Sequence, residues 1–272
     1  MLKKLLAAFK PGAADPVEYP LETEEALNRL HGAAPVDAHL RILFRDVQVG
    51  SEDFVDLYRR CLAQTGTPVT PFNVFHRFQS RRDLLQYFFA TLTLPGARAE
   101  CGTYRGATAL LLAHAWRSRD PAFTGKDLYL IDSFVGTSES GEHDLIPVRD
   151  DGGTTRREAF FPVAKADISP ALVRGFFGEF PHTGICAGWI PQVFATVPEQ
   201  RWAFVHLDVT LFEPTLAALE YFHPRLTAGG VIVCDGSIFC PGAKKAWDEF
   251  CAQRGLPFVT LGNRESILIK AA

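Results

Sequence analysis

No run in this chain approaches the roughly 20 apolar residues that a membrane-spanning helix needs. A basic excess is missing too. The 272 residues carry a formal net charge of -3, which leaves no electrostatic footprint for nucleic acid. The short basic pairs Arg59–Arg60, Arg81–Arg82, Arg156–Arg157 and Lys244–Lys245 read as solvated helix faces. The six cysteines, Cys61, Cys101, Cys186, Cys234, Cys240 and Cys251, include no C-x-x-C pair. Most sit inside apolar runs, which predicts buried free thiols in a reducing compartment rather than disulfides or a zinc site. The opening MLKKLLAAFKPG is basic and apolar, but its apolar part is too short for a secretory core and no small-residue cleavage site follows. These absences predict a cytoplasmic protein with no membrane and no nucleic-acid partner. The glycine fingerprint G-x-G-x-x-G is also absent, which disfavours a dinucleotide and with it a nicotinamide-dependent oxidoreductase.

What is present is enough for one large α/β domain plus an appendage, with 47% apolar and 22% charged residues. Residues 1–20 are broken by Pro11, Gly12, Pro16 and Pro20 and read as a connector. Leu21–Gly32, with a capping-box look at Thr23, reads as a short helix. Ser51–Gln64 repeats apolar positions at Phe54, Leu57, Cys61 and Leu62, the spacing of an amphipathic helix that starts at Ser51. Phe75–Leu92 reads the same way. Residues 1–94 are therefore an expected helical extension, which either caps the site or offers a face to a second copy of the chain.

From residue 95 the pattern alternates. Ala97–Cys101, Asp127–Asp132, Gly184–Ala187, Ala203–Asp208 and Gly230–Asp235 are strand-like. Between them lie the helix-like runs Thr108–Ser118, Pro170–Phe180, Pro214–Arg225 and Gly242–Arg254. That alternation predicts a doubly wound parallel sheet with helices on both faces. Phe258–Leu261 and Glu265–Lys270 are too close in sequence for a crossover helix, so they predict a hairpin that brings in an antiparallel strand. The connection 133–168 is far longer than such links usually are, and reads as a binding flap with a helical part around Thr155–Phe161.

Ligands of open α/β sheets bind beyond the carboxyl ends of the strands. The stretch ARAECGTYRG ends the first of these strands on Glu100, Cys101 and Gly102 and restarts as a helix after Gly106, with Tyr104 and Arg105 facing the crevice between. Asp132 ends the second strand, followed by Ser133 and Phe134. Gly188 and Trp189 follow the third, and Asp208 and Asp235 end the next two. Acids at these tips favour a ligand with hydroxyls or a positive charge over a bare pyrophosphate. His206, mid-strand, reads as a core histidine. His143, in the flap, is a candidate general base.

ECGTYRG, IDSFVG, AGWI, HLDVTLFEPT and PRLTAGGVIVCDG together resemble the TylF-type (macrocin) O-methyltransferases, a branch of the class I S-adenosylmethionine-dependent methyltransferases. The resemblance covers about residues 97–254. It implies a Rossmann-like sheet of seven strands with the last antiparallel, and transfer of a methyl group from S-adenosylmethionine to a hydroxyl of a small sugar or natural-product acceptor. It also implies Glu100 and Gly102 at the first strand end, Asp132 and Ser133 near the ribose, and Gly188–Trp189 near the adenine, where Phe134 is a second stacking candidate.

The departures bear on the chemistry. Metal-using relatives hold Mg²⁺ with Asp208 and two acids after the fifth strand. Here the pair is Asp235–Gly236, and Thr210 stands where the branch has an aspartate. Asp208 and Asp235 are the remaining candidate metal ligands, an incomplete set. With an incomplete metal site a base matters more, and Asp208 and His143 are the candidates. A methyltransferase acting on nitrogen or carboxylate, and a non-catalytic S-adenosylmethionine-binding protein, are the alternative readings.

Overall fold

In a computed structural model of the chain, residues 36–45, 47–69, 74–149, 154–160, 165–236, 240–263 and 265–271 are described. The expected helix Leu21–Gly32 and the connector before it lie outside them. Helix α1 (Val36–Phe44) leads into a two-residue ladder between β1 (Gln48–Val49) and β2 (Glu52–Asp53), then α2 (Phe54–Thr65) and α3 (Val74–Thr91). The cap of α2 is Asp53 and not Ser51, because the Asp53 side chain accepts from the Val55 and Asp56 N–H groups.

The alternating half then gives β3 (Ala97–Cys101), α4 (Ala107–Arg119), β4 (Leu128–Asp132), a flap, α5 (Pro170–Phe176), β7 (Gly184–Ala187), β8 (Trp202–Leu207), α6 (Phe212–Phe222), β9 (Leu226–Cys234) and α7 (Pro241–Arg254). The closing strands are β10 (Val259–Thr260) and β11 (Ser266–Ile269). Seven strands join in the order β10-β11-β9-β8-β3-β4-β7. Five run parallel, and β11 is antiparallel to both β9 and β10. The expected doubly wound sheet and terminal hairpin are both present.

The flap departs from expectation. Where a helix was expected around Thr155–Phe161, β6 (Thr155–Ala159) pairs antiparallel with β5 (Leu145–Arg149). The run TTRREA puts threonines and like charges at neighbouring positions, and cross-strand pairing spaces those charges better than one helical turn would.

Strand pleating sorts the core. On one face Leu128, Leu130, Phe204, Val231, Val233 and Ile267 pack with buried residues of α1, α2, α3 and α4. On the other, Ala97, Cys101, Ile131, Val205, Leu207 and Ile232 pack with α6 and α7 through Leu219, Phe222, Trp247 and Phe250. The helices before residue 92 therefore share the core of the sheet, so a charged side chain on α3 can reach the strand tips. The cysteines are free; Cys186 is half-buried and the other five are buried. Among the described residues no helix is long and apolar enough to cross a membrane.

Candidate active site

A cleft of about 460 Å³ opens at the carboxyl ends of β3, β4, β7 and β8. Its volume is within the roughly 300–1,000 Å³ of ordinary ligand pockets. Gly102, Tyr104, Asp132, Ser133, Gly188, Trp189 and Asp208, all named from the sequence, line it. Lys165, Asp167, Ile168, Ile190 and Leu211 also line it, and the sequence had not singled them out. The first three lie at the end of the long connection, which folds back so that Gly136 bridges to Lys165.

Backbone geometry makes the cleft. Gly102 has φ +82, and a Cβ there would fall 2.1 Å from the Asp208 carbonyl oxygen. Only glycine lets the ends of β3 and β8 meet this closely. Asp132 then ties two loops together: Oδ2 accepts from the Tyr104 N–H and Oδ1 from the Phe134 N–H, both at 2.8 Å. Both donors hold a left-handed backbone, with φ +51 at Tyr104 and +55 at Phe134. Burial lifts the Asp132 carboxyl above the usual aspartate value, against the pull of those two N–H groups. Oδ1 also lies 3.5 Å from Ser133 Oγ, while Oδ2 keeps a further lone pair for a hydroxyl in the cleft.

Five of the expected residues do not line this cleft. Glu100 is 1% exposed, and its Oε1 is 2.9 Å from His206 Nδ1. The cause is register: Glu100 stands opposite His206 across β3 and β8, so both side chains point to the helix-covered face. Burial pushes the Glu100 carboxyl up, and His206 opposes it. Cys101 points to the opposite face and is buried in the α6–α7 core. Arg105 does not line the cleft; its guanidinium carbon is 5.9 Å from the Tyr104 ring centroid and sits beside Gly66. Phe134 is 2% exposed in the core. His143 lies outside the cleft, edge-on to Phe212 with centroids 4.4 Å apart. Its neighbour Asp144 is the buried residue of that turn; Oδ1 accepts from the Phe212 N–H and Oδ2 from the Gly141 N–H, both at 2.8 Å.

The donor set suits an adenosine bearing a sulfonium: acceptors from Asp132, Ser133 and Asp167 stand beside the apolar walls Ile168, Ile190 and Trp189. Comparison with known sequences decides the family, since residues 76–260 match the model of Macrocin-O-methyltransferase (TylF). The chain belongs to the TylF family. It is 26% identical over 160 residues to demethyldecarbamoylnovobiocin O-methyltransferase of Streptomyces niveus, covering 59% of this chain and 60% of that one. Over 164 residues it is 28% identical to 8-demethyl-8-(2,3-dimethoxy-alpha-L-rhamnosyl)-tetracenomycin-C 4'-O-methyltransferase of Streptomyces olivaceus, covering 57% and 59%. The chain thus spans less than two thirds of the length of these relatives. Among solved structures, the O-methyltransferase NovP superposes with a TM-score of 0.58 at 20% identity, over 72% of this chain and 81% of that one. The calicheamicin methyltransferase CalS11 gives 0.57 at 19%, over 79% and 91%. These two likenesses establish the fold.

The metal ligands expected of this TylF protein are already engaged. Arg81, on α3, is 2% exposed, so the Arg81–Arg82 pair is not a solvated face. Its Nη2 donates to Asp208 Oδ2 at 2.9 Å and its Nη1 to Asp235 Oδ2 at 2.7 Å. Burial works against its charge, but the two carboxylates overcome that and hold it well above the usual arginine value. Burial would raise Asp235; Arg81 beside it brings the carboxyl down to about 2. With one oxygen of each aspartate committed, and glycine in place of a third acid, the residues present do not fit an octahedral Mg²⁺. Sequence reasoning missed Arg81 because its partners are 127 and 154 positions away.

Proposed function

We propose that this chain transfers a methyl group from S-adenosylmethionine to a hydroxyl of a small sugar or secondary-metabolite acceptor. The observation that carries the reading is Asp132 at the tip of β4, in a cleft with acceptors on one side and apolar walls on the other. The named relatives support the acceptor class, since both are O-methyltransferases by name and the tetracenomycin one carries a rhamnosyl group in its substrate's name. When bound, the cofactor supplies an electrophilic methyl on a sulfonium. The chain's residues do the rest. Asp132 and Ser133 accept from the ribose, Trp189 and Ile168 wall the adenine, and the cleft aligns donor and acceptor, where much of the barrier reduction originates. Asp208, the acid at the cleft floor, takes the acceptor's proton. The free and mostly buried thiols support a cytoplasmic setting.

Calorimetry with S-adenosylhomocysteine tests the cofactor, and mass spectrometry of glycosylated acceptors incubated with S-adenosylmethionine tests the transfer. Binding near micromolar that weakens about tenfold or more in Asp132→Ala is expected. Unchanged affinity in that variant, or a product methylated on nitrogen or carboxylate, would overturn the reading. Thr210 and Gly236 favour a second reading, a non-catalytic cofactor-binding protein. Tight cofactor binding with no product across the acceptor panel would select it.

A further inference from the structure

We infer that Arg81 stands in this chain where a divalent cation would otherwise stand, as the positioning residue that holds Asp208 for proton removal without a metal. The chemical consequence rests on the methyltransferase reading above; the exclusion of the ion does not.

Leu207 lies opposite Cys234 across β8 and β9, so the next residues, Asp208 and Asp235, leave adjacent strands side by side. The ladder continues one step past the strands, with the Asp235 N–H on the Leu207 carbonyl at 2.8 Å. Two ionised carboxylates this close repel each other, and the Asp235 side chain is only 14% exposed, so solvent screens it little. A cation has to lie between them. The guanidinium meets that need with one N–H to each, as separate prongs of a single rigid fork.

Three features keep an ion out. The Arg81 side chain is 3% exposed and fixed on its remaining edge, with Nε on Thr108 Oγ1 at 2.9 Å and Nη1 also on Ser80 Oγ at 3.1 Å. It cannot swing aside as a surface arginine would. A divalent ion on the same two carboxylates would add two charges beside a guanidinium that is buried from solvent. Nor does the position after Asp235 offer an acid in line with the pair. Gly236 has φ +70, and a Cβ there would fall 2.9 Å from Cys240 Sγ.

One positive charge against two negative ones leaves the group anionic, and Asp208 is its exposed member, with a side chain one-third accessible at the cleft. In the transfer step the acceptor oxygen forms its bond to the methyl carbon as the bond from that carbon to sulfur breaks. The hydroxyl proton passes to the Asp208 carboxylate and from there to solvent, and neutral S-adenosylhomocysteine leaves. Arg81 touches neither reactant. It fixes the carboxylate and keeps the aspartate pair from flying apart.

Isothermal titration of Mg²⁺ into the full chain tests this, with wild type, Arg81→Ala and the double variant Arg81→Ala/Asp208→Asn, alongside turnover with and without EDTA. Wild type should take up no Mg²⁺ at millimolar concentration and keep its turnover within about twofold in EDTA. Arg81→Ala should gain a Mg²⁺ site and a Mg²⁺-dependent rise in melting temperature, both lost in the double variant. Its turnover should fall about a hundredfold and recover at least tenfold on adding Mg²⁺. Arg81→Lys keeps the charge, and should fold and exclude Mg²⁺ as wild type does even where the alanine variant fails to fold. Asp208-dependent Mg²⁺ uptake by wild type, loss of wild-type turnover in EDTA, or a folded Arg81→Ala that takes up no Mg²⁺ would overturn the inference. A wild type that excludes Mg²⁺ and binds S-adenosylhomocysteine yet methylates nothing would sink the activity reading and leave the placement of Arg81 intact.

Discussion

Glu100 and His206 are cross-strand neighbours whose 2.9 Å contact is sealed under α3 and α4, out of reach of the cleft. The acid two residues before Gly102 is therefore buried in the sheet and does not line the cleft. Glu100→Ala removes the partner of a fully buried ring and leaves His206 Nδ1 without an acceptor or donor. The expected cost in urea unfolding is about 1–3 kcal/mol. Affinity for S-adenosylhomocysteine should change by less than about threefold, because the residue does not line the cleft. A large affinity loss with unchanged stability would reverse the assignment.

How much of this was legible in the sequence follows from the range of each interaction. The strands, the connecting helices and the terminal hairpin depend on local periodicity and turn residues, so their order could be read directly. Asp132, Gly188 and Asp208 lie at the cleft because strand tips are where an open sheet binds. Glu100 could not be placed. Its strand position was clear, but which neighbouring strand would present His206 at the same level was not. Arg81 was hidden for a related reason: an Arg-Arg pair on an amphipathic helix looks solvated until one knows that α3 crosses the tips of β8 and β9. The flap hairpin was missed because charged residues of mixed propensity give a weak signal for either state.

Glu265 offers a prediction on pH. It is fully buried beside Asp235, its Oε2 accepts from Asn263 Nδ2 at 2.8 Å, and its Oε1 has no partner among the described residues. Burial, with Asp235 adding to it, pushes the carboxyl up to about 8 from an ordinary 4.5. The folded chain thus holds this proton through a range where the unfolded chain has released it. That contribution to stability is fully present below about pH 4.5 and is lost as pH rises through about 8. Glu265→Gln cannot ionise, so its stability relative to wild type, read from urea unfolding, should climb between pH 5 and 9, by an upper bound of roughly 4–5 kcal/mol. A constant difference across that range would mean the group is ionised in the folded chain.

Restoring the acid that the family resemblance expects after Asp235 should not restore a metal site. Gly236→Asp places a Cβ against Cys240 Sγ in a left-handed backbone, and Arg81 still occupies both neighbouring aspartates. The expected outcome is a loss of about 1–3 kcal/mol in stability with no Mg²⁺ uptake by calorimetry. Uptake in this single variant would show that the glycine alone, and not the guanidinium, keeps the ion out.

Asp144 carries the last prediction, because it ties the flap to the body of the sheet. Its carboxylate accepts from the Phe212 N–H at the start of α6 and from the Gly141 N–H, and its carbonyl accepts from the Phe160 N–H at 3.2 Å. Asp144→Ala frees those donors, at a cost of about 1–2 kcal/mol in stability. The site can also be broken without touching the aspartate. A Cβ at Gly242, at the start of α7, would fall 1.7 Å from Asp144 Oδ1 and 2.6 Å from the Phe212 nitrogen. Gly242→Ala should therefore reproduce the Asp144→Ala phenotype. Both variants should become more sensitive to limited proteolysis between residues 141 and 160 and should raise the acceptor KM, while affinity for S-adenosylhomocysteine stays within about threefold, since neither residue lines the cleft. If the two variants diverge, with Gly242→Ala protected and Asp144→Ala cleaved, the flap is held by something other than this carboxylate.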